Sequence, residues 1–199
     1  MPKNPTYYDG DLAGDLVAAA VRAIEAGGPA SVSLRSLARE LGVSNAAPKN
    51  HFVDKAALFA GVAIEGFSGL IAALERSVRP GSDTALVDAG VAYVAYALEH
   101  PAHFAVMWQP DLFAGNAGVV ARRAAAYDEL VRVITAARTD LADPSHRADR
   151  ANRAWAVAHG WAALLLSGSL TVPSGTPPLD YVREQLTMST ADAVRGGPT

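Results

Sequence analysis

Apolar residues recur along this chain at spacings of three and four, the repeat of a helix with one buried face. Leu12, Leu16, Ala20, Val21 and Ile24 keep that spacing and predict a helix over about 10–26, stopped by Gly27, Gly28 and Pro29. Leu34, Leu37, Ala38 and Leu41 predict a short amphipathic helix, with Ser33 as its N-cap and Gly42 supplying the positive φ of a tight exit. Val43 is expected to plug the turn together with Leu37, and Ser44 to cap a second short helix over 45–51. Pro48 is expected in the first turn of that helix, where most N–H groups lack intrahelical partners and a missing donor costs little. Asp54 then caps a long helix over about 55–78, with Leu58, Phe59, Val62, Phe67, Leu70, Ile71 and Leu74 as its apolar positions. Further helices are expected near 83–99, 101–108, 117–141, 145–169 and 178–194, separated by proline and glycine. β-branched runs are scarce, so the expected fold class is all-α.

Composition narrows the picture. The 199 residues are 50% hydrophobic and 19% charged, enough for a sizeable core and too apolar for a disordered chain. There is no cysteine, which excludes a disulfide scaffold, a cysteine-ligated zinc finger and a thiol nucleophile. The polar, acidic start does not read as a secretory signal, and apolar runs such as Trp161 to Leu166 fall short of the roughly 20 residues a membrane span needs. The expectation is a soluble, cytoplasmic protein without a membrane partner.

The net charge is −3, but it is unevenly spread. Residues 1–55 carry six Lys/Arg against six Asp/Glu, whereas residues 56–199 carry 11 against 14. All three lysines, Lys3, Lys49 and Lys55, lie in the first part, so an anionic partner is better sought there.

Two short helices about a glycine-centred turn make a helix-turn-helix. Ala38 is small where the helices cross, and the second helix starts at Ser44, so its first residues are placed to reach base edges. Asn45, Asn50 and His51 are the polar candidates there, with Lys49 for a phosphate. Lys55 adds a full charge at the N-terminus of the next helix, where free N–H groups favour an anion. A purely structural helical hairpin satisfies the same spacing.

The run Ser33-Leu34-Arg35-Ser36-Leu37-Ala38-Arg39-Glu40-Leu41-Gly42-Val43-Ser44 resembles the TetR family of bacterial transcriptional regulators. So does His51-Phe52-Val53-Asp54-Lys55-Ala56-Ala57-Leu58. In the C-terminal part, Trp155-Ala156-Val157-Ala158-His159-Gly160 resembles the Trp-x-x-x-His-Gly signature of one TetR C-terminal subfamily.

The resemblance implies a three-helix DNA-binding domain over 1–54, a linking helix 55–78, and a larger helical ligand-binding and dimerisation domain over 79–199. It implies a homodimer joined through the last two long helices, a palindromic double-stranded operator and a small-molecule effector. By the same resemblance Ser33, Ser44, Lys49 and Lys55 meet phosphates, while Asn45, Ala46, Ala47, Asn50 and His51 lie where base or groove contacts occur. The chain departs from the family at Lys49, where a tyrosine is common; a lysine reaches a phosphate as a flexible point charge without the packing ring.

Other candidates follow from residue type. Phe104, Met107, Trp108, Phe113 and Tyr127 either line an effector pocket or fill a helical core. Leu179, Val182, Leu186 and Ala193 form an apolar line on the last helix and are expected at the dimer interface. His100 and His103 stand three apart across Pro101 and are expected to mark a helix end rather than a metal site. His159 is expected to serve packing more than ligand chemistry. No nucleophile elbow, phosphate loop or dinucleotide fingerprint occurs, so neither a catalytic residue nor a cofactor is expected. The rival reading is an all-α small-molecule binding or enzymatic protein whose hairpin is structural.

Overall fold

The computed structural model describes residues 10–195 apart from 79–81, 83, 114 and 138–143; the side chains of 134, 136, 137, 144–146 and 189–195 lie outside that description. The described residues form eight α-helices and three short 3₁₀ turns, with no strand among them. The α-helices are α1 (Leu12–Gly27), α2 (Leu34–Glu40), α3 (Lys55–Ser77), α4 (Ala85–Glu99), α5 (Pro101–Met107), α6 (Ala117–Ala137), α7 (Pro144–Leu166) and α8 (Pro178–Arg195). The helix ends fall within a few residues of those expected from the periodicity, because the capping signals are real. Asp11 accepts from the Gly14 N–H, Ser33 from Ser36 and Asp54 from Ala57.

The chain divides into two compact units. Residues 1–67 and 100–123 make the first, and 68–99 with 124–199 make the second, so α3 and α6 contribute to both. The core of the first unit gathers Leu16, Ala20 and Ile24 of α1, Leu37 and Ala38 of α2, Leu58, Phe59, Val62 and Phe67 of α3, and Val106 and Met107 of α5, all buried. Helix α3 is the one helix among the described residues long and apolar enough to cross a membrane, with mean hydropathy 1.9, contrary to the expectation that no segment was. Its large apolar side chains instead fill the protein core, which explains why every turn of it is apolar.

In the second unit α4 packs against α7 and α8. Val87 and Val94 of α4 and Val182 and Leu186 of α8 are buried together, flanked by Val91, Leu98, Trp161, Leu165 and Leu179. Gly90 lets α8 come close: a Cβ there would lie 2.8 Å from Leu186 Cδ1. This corrects the expected dimer line. Val182 and Leu186 are spent on α4 of the same chain, and Ala193 lies outside the described side chains. An apolar stripe shows that a helix face is covered, but not by which chain.

Candidate nucleic-acid interface

The exit from α2 is built by Gly42, whose φ is +70°, a conformation that L side chains rarely adopt. It lets the Val43 N–H reach back to the Ala38 carbonyl at 2.9 Å, and the Gly42 N–H reach Arg39 at 3.3 Å. The chain then turns sharply, and the Ser44 hydroxyl accepts from the Ala47 N–H at 3.2 Å, the cap expected of it.

Beyond Ser44 the expected helix over 45–51 does not form. The chain makes a single 3₁₀ turn, Ala47–Asn50, entered through Ser44–Ala46. Its bonds span three residues: Ala47 N–H to Ser44 C=O at 3.0 Å and Lys49 N–H to Ala46 C=O at 3.1 Å. Pro48 is the reason. In an α-helix starting at Asn45, residue 48 donates the bond that closes the first turn on Ser44, and proline has no N–H to give. The expectation that this donor was dispensable is therefore corrected. The Pro48 ring is buried, so it anchors the turn from below.

Burial sorts the candidate residues. Ser33, Ser44, Asn45, Ala46, Lys49, Asn50 and His51 are exposed, and Ala47 and Lys55 are half-buried. The Lys55 ammonium donates to the Ala30 carbonyl at 3.4 Å and stands 5.2 Å over the Phe59 ring, so it is held rather than free to swing. Arg35 and Arg39 of α2, which the sequence reasoning passed over, are exposed as well. From Val32 to Lys55 four cations, Arg35, Arg39, Lys49 and Lys55, face two acids, Glu40 and Asp54; Glu40 is already paired with Arg22 at 2.7 Å. Val53 is also exposed, at 76%, an apolar side chain standing beside the polar segment.

Phe104, Met107, Trp108 and Phe113 belong to the first unit and Tyr127 to the second. Phe104, Met107 and Phe113 are buried; Trp108 packs edge-on against Phe67 at 5.1 Å and Phe104 at 6.2 Å. Tyr127 instead lies 5.8 Å from the Trp155 ring and bonds Asn152 at 3.1 Å.

The second unit contains a polar cluster that sequence reasoning saw only half of. Trp155 and His159 are one helical turn apart on α7, and both meet the buried Tyr93 of α4. An indole N–H can only donate, so Tyr93 accepts from Trp155, and its hydroxyl shares a second hydrogen bond with His159 Nδ1, 3.0 Å away. Burial pushes the Tyr93 phenol well above its ordinary pKa and holds the His159 imidazole below its own, so the trio stays uncharged. Tyr93 stands 66 positions from His159, and no spacing rule links them. No group of three His, Cys, Asp or Glu among the described residues is arranged to hold a metal ion.

Residues 16–62 match the bacterial regulatory proteins of the tetR family, and residues 86–188 match a tetracyclin repressor-like C-terminal domain. A protein of unknown function from Rhodococcus sp. RHA1 is 36% identical in sequence and superimposes with a TM-score of 0.77 over 94% of this chain and 96% of that one. A bacterial regulatory protein in the tetR family, from Rhodococcus RHA1, is 21% identical, with a TM-score of 0.62 over 90% and 95%. The TetR family transcriptional regulator PfmR from Thermus thermophilus is 20% identical, with a TM-score of 0.61 over 85% and 93%. No curated protein matches the sequence.

Proposed function

The chain belongs to the TetR family and is a DNA-binding transcriptional regulator, and from that premise we propose that it is a cytoplasmic repressor whose operator is released when a small molecule binds. The observation that carries the reading is the segment 44–51, whose polar side chains are exposed while Pro48 and the turn at Gly42 hold its backbone. Asn45, Ala46, Ala47, Asn50 and His51 face the major groove in this reading, and Ser33, Ser44, Lys49 and Lys55 hold phosphates. The division of labour is residues 1–54 for DNA, with 55–78 linking them to 79–199 for effector and dimer.

The dimer forms through the outer faces of α7 and α8. Val157 and Leu164, two turns apart on α7, and Met188 on α8 are exposed apolar side chains that a second copy would cover. The effector is mostly apolar and is taken up beside Phe104, Met107, Trp108 and Phe113. It acts by favouring a conformer whose two DNA-reading segments no longer match the operator spacing.

Selection from random duplex DNA tests this. The expected product is an inverted repeat with half-sites about 34–36 Å apart, or a multiple of that, bound with a steep loss of affinity as salt rises. Asymmetric sites, or binding that salt does not weaken, would overturn it.

A further inference from the structure

Among the described residues His103, on α5, is the one Asp, Glu, Lys, Arg or His that is buried, at 8% exposure. Helix α5 packs against α1. Both His103 ring nitrogens are shut off from water and have no hydrogen-bond partner. Glu65 of α3 comes closest: its Oε1 lies 3.4 Å from Nε2, near enough to attract a charge but not aligned as a hydrogen bond, and its side chain is 61% exposed. The His100 ring stands edge-on at 5.8 Å, and Glu25 of α1 is the remaining charge that bears on the site. Gly66 of α3 closes the other side, since a Cβ there would sit 2.6 Å from Met107 Sδ and 3.2 Å from His103 Cβ. The site is thus filled on the α3 side.

A neutral imidazole in this place leaves a donor and an acceptor unmade, a cost that is smaller than that of a buried charge. An imidazolium adds a full charge, and Glu65 faces one of its two donors. We propose that His103 is a proton-operated catch: neutral, it lets α5 seat against α1 and α3; protonated, it drives α5 out toward water. Burial opposes the charge more strongly than Glu65 and Glu25 favour it, and His100 opposes it too, so the seated ring takes up its proton below the usual histidine range. The seated form is therefore fully favoured above about pH 6.5, and that preference is lost as pH falls from there toward the ring's lowered value, by up to about tenfold per pH unit within that window. On the reading that the chain binds DNA, acid would then weaken the operator complex as well, because α1 and α3 flank the DNA-reading segment.

The test is an NMR titration of the His103 ring in the full-length protein, with amide protection of α5 measured at pH 7.5 and pH 5.5. The expected midpoint lies below 6.5, and α5 protection falls by up to about tenfold in acid but stays level in His103→Gln. A midpoint at or above 6.5, or an equal fall in His103→Gln, overturns the catch. Should His103→Gln not fold, Glu65→Gln alters an exposed carboxylate and decides the matter. It is expected to move the midpoint further down, and an unchanged or higher midpoint overturns the proposal. Operator affinity at the same two pH values separates the two readings: no operator binding at pH 7.5 sinks the DNA reading alone, while the ring titration still judges the catch.

Discussion

The segment 44–53 and the seam where α4 meets α7 and α8 use similar residue types to opposite ends. In the segment, Asn45, Lys49, Asn50 and His51 point to water and Pro48 goes inward; the backbone is held by one cap, one glycine turn and one buried ring. In the seam, a buried tyrosine and a half-buried histidine and tryptophan satisfy one another, beside a row of valines and leucines. The first region spends little stability and keeps its hydrogen-bonding groups available to a partner. The second uses its polar groups up on itself, and so contributes to holding its unit in one arrangement. Changes in the two regions should therefore separate binding from stability.

The largest effect is expected at Leu186. Leu186→Glu places a carboxylate against Gly90 and the α4 valines, and destabilises the fold by roughly 2–5 kcal/mol. Thermal unfolding should move down sharply, whereas Glu184→Gln, two positions back and exposed, should melt like the parent. A Leu186→Glu protein that melts normally but no longer dimerises would return that residue to the dimer interface and break the comparison.

A smaller loss is expected at Tyr93. Tyr93→Phe keeps the ring and removes the hydroxyl that joins Trp155 to His159, leaving two half-buried polar groups to find new partners, at about 1–3 kcal/mol. The pH dependence sharpens the point. His159 is held below the ordinary histidine pKa by burial, so the stability it lends is complete above about pH 6.5 and declines as pH falls through its lowered value. His159→Gln should flatten that decline in melting curves taken between pH 7.5 and 5. A parent protein that gains stability in acid would contradict the neutral trio.

The smallest effect on stability, and the clearest on binding, is expected at Lys49. Its side chain is exposed, so Lys49→Ala should leave the unfolding free energy unchanged within about 0.5 kcal/mol. It should weaken specific and nonspecific DNA alike and reduce the salt slope by about one. Retention of the full slope would remove Lys49 from the phosphate contacts.

Much of the architecture was legible in the residues themselves. Helix ends follow from local chemistry, and Ser33, Ser44, Asp54 and Gly42 each do what their type and position dictate. The same locality explains why the helix-turn-helix could be placed from its spacing before any fold was known. Its error was local too: Pro48 sits at the residue whose N–H closes the first α-turn, and counting one position further along would have shown a 3₁₀ turn.

What tertiary structure alone decided is which side chain faces which. The periodicity of α8 required Val182 and Leu186 to be covered, and the fold covers them with α4 rather than leaving them to a second copy. Trp155 and His159 were visible as a pair on one helix face, but their meeting point, Tyr93, is brought to them from 66 positions away. Tyr127 is aromatic like Phe104 and Trp108, and only the fold shows that it stands beside Trp155. Capping, turns and amphipathic spacing act within a few residues and are written in the sequence. Burial is non-directional: it specifies that an apolar or uncharged group leaves water, and only the three-dimensional path of the chain names its neighbours.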